Sequence, residues 1–396
     1  MSLSRKEFLL SLLVSTTALL SGCQSGTETD PQPGTSPVLV SATEIRSFTR
    51  EQMAQQVQRI NPALSFITRY GIKVYKVVYN TTLPDGSPVK ASGALLVPDA
   101  PTAVPMVSQQ HGTILSDSDA PSNFGSGSDA ALGGSLFASI GYILACPDYI
   151  GYGESKDRPH PYEHRQSLAQ ASLDMLRASK EYIQKNNVRW DERLFLTGYS
   201  EGGYATMALQ KLLEEQFPTE FNLRASSLGA GAYHKTATMK HLINERTDGI
   251  GTYNRLYLWA LTTYNDMYKD LRRPLSAYLK EPYATQVQQG SASVSVSLNE
   301  TFTDAFKKGV NDGTDKAFLA AVADNDVYDW KPKTPTRLYH GDADNLVFYF
   351  NSKDAYDAMQ KRGATNVQLI TLRNRNHTSA ITDYLLGTYE MFSTVQ

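Results

Sequence analysis

Residues 72–79 alternate apolar and polar positions with period two, residues 89–97 form a second, largely apolar run, and Pro84-Asp85-Gly86 lies between them. Two strands around such a turn predict an antiparallel hairpin. A helical pattern at 49–60 precedes them, and an apolar run at 104–111 follows. Next comes a polar, Gly- and Ser-rich stretch at 112–134, long enough to predict a functional loop. Beyond it, apolar runs at 142–145, 193–197 and 224–228 alternate with helical spacing at 166–185 and 204–216. Strands and helices in alternation predict an α/β fold, a mostly parallel sheet with helices on both faces.

The alternation stops near Ala232 and resumes with a strand at 336–340, a helix at 349–361 and a strand at 367–372. Residues 232–331 therefore read as an insertion. Tyr253, Tyr257, Trp259, Tyr264, Tyr268, Tyr278, Tyr283, Phe302 and Phe306 fall there among charges at helical spacing, the pattern of a small helical subdomain. Most of these aromatics are expected in its core and some along a substrate pocket.

Composition narrows the class. With 41% hydrophobic and 20% charged residues the chain can bury a large core. A formal charge of −2, a pI near 6.4 and no basic run exclude nucleic acid as a partner. At the N-terminus, Arg5 and Lys6 precede an apolar stretch at 8–20, too short to span a bilayer and typical of a secretory signal. The stretch ends in Leu20-Ser21-Gly22-Cys23, which resembles the lipobox of bacterial lipoproteins. That resemblance implies a signal peptide over 1–22, a lipidated Cys23 as membrane anchor, and an extracytoplasmic place on the bacterial cell envelope. Residues 24–43, rich in Gly, Ser, Thr and Pro, read as a flexible linker. The body is then a core of 44–231 and 332–396 with 232–331 as a cap. The chain has two cysteines, so lipidation of Cys23 leaves Cys146 unpaired, a small buried hydrophobe at the end of an apolar run.

The chemistry centres on Gly198-Tyr199-Ser200-Glu201-Gly202-Gly203. An apolar strand pattern runs into this G-x-S-x-G stretch and a helical pattern runs out of it. A serine at the tip of a sharp strand-to-helix turn is exposed, and only small neighbours let the two arms approach. The first amides of the following helix would point at an oxyanion formed there.

A serine hydroxyl needs a base, usually histidine, itself oriented by a carboxylate. In the G-x-S-x-G sheet fold the chain order is Ser, then Asp or Glu, then His. Of seven histidines, His111, His160 and His164 precede Ser200, His234 and His241 fall in or near the insertion, and His340 precedes the acid. His377 remains, in a polar loop after the last strand. The acid comes from His340-Gly341-Asp342-Ala343-Asp344-Asn345-Leu346-Val347. Asp344 is the choice, three residues after the glycine, with Asp342 as a turn residue or, with the roles exchanged, the acid. The same stretch lacks the position-five ligand and position-six glycine of a calcium loop. No phosphate-binding loop is present, and no metal or organic cofactor is implied.

Together with Gln110-His111-Gly112-Thr113 and Asp148-Tyr149-Ile150-Gly151-Tyr152-Gly153-Glu154-Ser155, these motifs resemble the α/β-hydrolase superfamily, in particular its secreted serine esterases and lipases with a helical cap. The likeness covers about residues 72–396. It implies an ester hydrolase acting through an acyl-enzyme on a small-molecule ester, with Ser200, Asp344 and His377 as the triad. It also implies an oxyanion hole built from the backbone N–H groups of Glu201 and Thr113, although a single glycine before Thr113, in place of the HGGG form, leaves Gly112 as the alternative to Thr113. Asp148 is expected to tie down a loop. Two other functions compete. Prolyl-oligopeptidase-like serine peptidases share the elbow but usually carry a large N-terminal propeller, for which the chain has little room. A binding protein on a dead hydrolase scaffold would have lost a catalytic residue.

Overall fold

Alternate side chains of a central strand face opposite sides of a sheet, and here both sides are apolar. The structure, a computed structural model, describes residues 37–60, 66–290 and 294–395. Among them β1 (Leu39–Phe48), β2 (Ile72–Thr82), β3 (Pro88–Pro98), β4 (Val104–Gln110), β5 (Ile143–Pro147), β6 (Trp190–Tyr199), β7 (Asn222–Gly229), β8 (Thr336–Gly341) and β9 (Val367–Leu372) form one sheet. Its order is β1-β2-β3-β5-β4-β6-β7-β8-β9. The pairs β1/β2, β2/β3 and β3/β5 are antiparallel; the other five are parallel.

The helices are α1 (Arg50–Ile60), α2 (Ser135–Ser139), α3 (Arg165–Lys185), α4 (Glu201–Gln216), α5 (Lys235–Asn244), α6 (Gly251–Met267), α7 (Tyr283–Gln288), α8 (Leu298–Thr301), α9 (Asp304–Asn311), α10 (Lys316–Asp324), α11 (Phe350–Lys361) and α12 (Ile381–Thr394). On one face Leu95, Ala145, Leu194 and Leu196 pack against Leu173 and Leu176 of α3 and Leu209 of α4. On the other, Leu96, Leu144 and Phe195 meet Met53 of α1, Phe137 of α2 and Met391 and Phe392 of α12. Among the described residues no helix is long and apolar enough to cross a membrane.

Residues 39–43, expected as linker, are instead the start of β1. Its partly buried positions recur every third residue because two bulges, between Leu39 and Ser41 and between Glu44 and Arg46, shift its register against β2. A bulge inserts one residue and flips the alternation, so the strand carries no period-two signal. The expected signal peptide over 1–22, Cys23 and the linker up to residue 36 lie outside the described residues.

Helices α5–α10 lie between β7 and β8 and build their own core, in which Tyr264, Tyr278, Phe302, Phe306 and Phe318 are buried. Cys146, on β5, is buried with a free thiol, which burial pushes up. Asp148 is fully buried, where its carboxylate accepts from Ser92 Oγ at 2.5 Å and from the Ser122 N–H at 2.8 Å, tying the 112–134 loop to β3.

Candidate active site

Ser200 is the single residue between β6 and α4, at φ 61° and ψ −124°. A non-glycine residue in so sparsely populated a region costs about 1–3 kcal/mol and persists only where its surroundings hold it. The Ser200 N–H donates to the Gly229 carbonyl at 2.9 Å, and the Ser200 carbonyl accepts from the Tyr204 N–H at 3.1 Å. The glycines make the crossing possible. A Cβ on Gly198 would lie 2.3 Å from the Gly202 carbonyl oxygen, and one on Gly202 would lie 2.1 Å from that of Gln110.

His377 Nε2 lies 2.9 Å from Ser200 Oγ, and His377 Nδ1 lies 2.6 Å from Asp344 Oδ2. A carboxylate only accepts, so Nδ1 carries the ring proton and Nε2 is left with a lone pair toward the serine. The other Asp344 oxygen accepts from the N–H groups of Leu346 and Val347, both at 2.9 Å. Burial works against the Asp344 charge, but hydrogen bonding from His340 and His377 outweighs it and holds the carboxyl at about 2. Asp342 takes no part in this chain. It is exposed, and Oδ1 accepts from the Asn374 N–H at 2.6 Å, which pins the turn before His377.

At the end of β4 the Gly112 N–H donates to Asp129 Oδ2 at 2.9 Å. Among the described residues the Thr113 and Glu201 amides have no protein acceptor, while the Thr113 hydroxyl lies 3.0 Å from the Tyr162 hydroxyl. The Glu201 side chain turns inward, to His160 Nε2 at 2.7 Å.

A cavity of about 30 Å³ opens on Ser200, lined by Tyr162, Glu163, Leu256, Tyr257 and Leu346. Tyr162 stacks on Trp259 at 4.5 Å, and Trp259 borders two outer grooves of about 380 and 400 Å³. Tyr257 therefore reaches the space around the serine, and Trp259 stands behind it, stacked on Tyr162, which lines the same cavity. Tyr264 does not reach that space: it is fully buried and donates to the Glu163 carbonyl at 3.0 Å, because its position on α6 faces the core of the insertion. Periodicity missed three contributors, the Tyr199 hydroxyl, the His160 ring and the inward Glu201 carboxyl; Tyr199 and Glu201 occupy the two free positions of G-x-S-x-G, where the motif prescribes nothing.

Lipase 2 of Candida albicans is 26% identical over 223 residues, 52% of this chain and 45% of that protein, so the chain spans about half the length of the curated relatives it matches. In fold, the rice cell wall degrading esterase LipA from Xanthomonas oryzae superposes with a TM-score of 0.77 at 23% identity, covering 92% of this chain and all of that one. Candida antarctica lipase A in its closed state superposes with a TM-score of 0.64 at 16% identity, covering 89% and 83%. The sheet is thus that of an α/β-hydrolase. Residues 134–384, which carry Ser200, Asp344 and His377, match the secretory lipase family, and the chain belongs to that family.

Proposed function

We propose that this protein hydrolyses carboxylic esters through an acyl-enzyme, with Ser200 as nucleophile, His377 as general base and then acid, and Asp344 as the orienting carboxylate. The unbroken hydrogen-bond chain from Ser200 Oγ through the His377 ring to Asp344, at the tip of a strained turn, carries this reading. Membership of the secretory lipase family supports an ester as substrate and a place outside the cytoplasm.

Ser200 Oγ attacks the ester carbonyl while its proton passes to His377 Nε2. Asp344 stays ionised and stabilises the imidazolium. The tetrahedral oxyanion accepts hydrogen bonds from the Glu201 and Thr113 N–H groups, a choice supported by the commitment of the Gly112 N–H to Asp129. His377 returns its proton to the leaving alcohol, and a water, deprotonated by the same ring, releases the acid. Residues 232–331 serve as a cap whose Tyr257 and Trp259 meet the substrate. Cys23, after a signal of 1–22, would carry the lipid that anchors the enzyme to the envelope.

The test is hydrolysis of p-nitrophenyl esters of graded length beside peptide anilides. Ester turnover is expected, with a fall of several orders of magnitude in Ser200→Ala. Fluorophosphonate labelling that persisted in Ser200→Ala, or cleavage of the anilides alone, would overturn the assignment.

A further inference from the structure

His160 and Glu201 form a pair behind the turn that carries Ser200, the histidine 7% and the glutamate 1% exposed. His160 Nδ1 lies 2.7 Å from the Ile150 carbonyl oxygen, and Nε2 lies 2.7 Å from Glu201 Oε1. A carbonyl only accepts, so Nδ1 carries a proton. A carboxylate also only accepts, so the second contact requires another proton between Nε2 and Oε1. The backbone approaches closely here: a Cβ on Gly151 would lie 2.5 Å from His160 Cα.

Aromatic rings enclose the pair: Tyr149 stacks on the His160 ring at 6.0 Å, Tyr152 lies at 4.9 Å and Trp259 crosses it at a steep angle at 5.6 Å. A second buried pair, Lys235 with Glu163, lies within electrostatic reach of Glu201. With His160 protonated, these four groups sum to zero. Without that proton one buried negative charge is uncompensated, beside the amide that would receive an oxyanion.

We propose that protonated His160 is a positioning residue: by anchoring the Glu201 side chain it fixes the direction of the Glu201 N–H at the oxyanion position. The inference rests on the ester-hydrolase reading above. Loss of the shared proton leaves the Nε2 lone pair facing a carboxylate at hydrogen-bond distance, and the repulsion turns the first residue of α4 away. The other groups around the pair behave differently. Burial raises the phenols of Tyr149, Tyr152 and Tyr162, and nearby glutamate charge raises them further, so they stay neutral. Burial pushes Lys235 down and Glu163 up. Asp85, Arg158, Asp266, Lys269 and Arg272 face His160 across the larger outer groove.

The experiment compares kcat and KM across pH for the full chain and its variants, with fluorophosphonate titration of folded sites and thermal unfolding as controls. The unaltered enzyme should lose kcat on the alkaline side; in Glu201→Gln the carboxamide donates to a neutral ring, no proton is needed, and that loss should disappear. His160→Leu strands the carboxylate and should lower kcat about 10–100-fold with KM little changed. Adding Glu201→Gln should restore about tenfold of that loss. An alkaline limb that persists in Glu201→Gln belongs to the Lys235–Glu163 pair and overturns the proposal, as does a His160→Leu enzyme of unchanged kcat. If His160→Leu does not fold, the pH profile of Glu201→Gln decides. Absence of both ester hydrolysis and Ser200 labelling in the unaltered enzyme would overturn the hydrolase reading itself. Failure of the inference alone leaves both intact.

Discussion

The Tyr199 hydroxyl donates to the backbone carbonyl of His377 at 2.6 Å, and the two rings lie 5.2 Å apart between centroids. The residue before Ser200 thus holds the loop that carries His377, so the Ser200–His377 distance is tied to a contact beside it. Burial raises the phenol, which keeps its proton for this bond.

Tyr199→Phe keeps the ring and removes the bond. A buried hydrogen bond contributes about 1 kcal/mol, so kcat should fall roughly fivefold to tenfold with KM unchanged and only a small loss of melting temperature. Steady-state kinetics at fixed pH check this. An unaltered kcat would remove the hydroxyl from the positioning of His377.

Asp344→Asn should lower kcat by about 10³–10⁴, because the amide no longer fixes the Nδ1–H tautomer of His377. Asp342→Asn should stay within about threefold, since Oδ1 can still accept from the Asn374 N–H. The opposite ranking would exchange their roles.

Asp344 also links stability to acid. Its carboxyl is held at about 2 in the folded chain against an ordinary 3.8, so the stabilisation is complete above about pH 4 and is lost as pH falls through about 2. Denaturant unfolding at pH 5 and pH 2 should show about 2 kcal/mol less acid sensitivity in Asp344→Asn than in the unaltered chain. Equal sensitivity would mean that the carboxylate is not stabilised in the fold.

Trp259 supports Tyr162 between the Ser200 cavity and the outer grooves, so Trp259→Ala should let that wall give way. Preference in kcat/KM should move to longer acyl chains, by up to about fourfold per added methylene. Tyr257→Ala should alter the preferred length as well. Tyr264→Ala, in the core of the insertion, should instead cost about 3–5 kcal/mol of stability and leave the length preference unchanged. A length series of p-nitrophenyl esters with thermal melts separates these outcomes.

Cys23→Ser should release an active hydrolase from the membrane fraction into the soluble one, because the anchor would be covalent lipid on that thiol alone. Retention at the membrane would place the anchor elsewhere.

Features set by neighbours along the chain are legible in the sequence alone. The turn at Ser200 is legible because its glycines are neighbours in sequence that must let two backbones cross; β2 is legible because one-sided burial makes it alternate, and β3, β5 and β6 because burial on both faces makes them continuous apolar runs. His377 followed from chain order. Tertiary structure decided what periodicity cannot encode. It distinguished Asp344 from Asp342, two residues apart, by which of them faces inward past β8. It found β1, whose two bulges erase its alternation. It sent Tyr264 to a core and Trp259 to a groove although both lie on α6, because a helix turns its residues toward different neighbours. It also brought His160 to Glu201 across 41 positions, a buried pair whose need for a proton exists only once folding has removed the water and set a carbonyl on the other side of the ring.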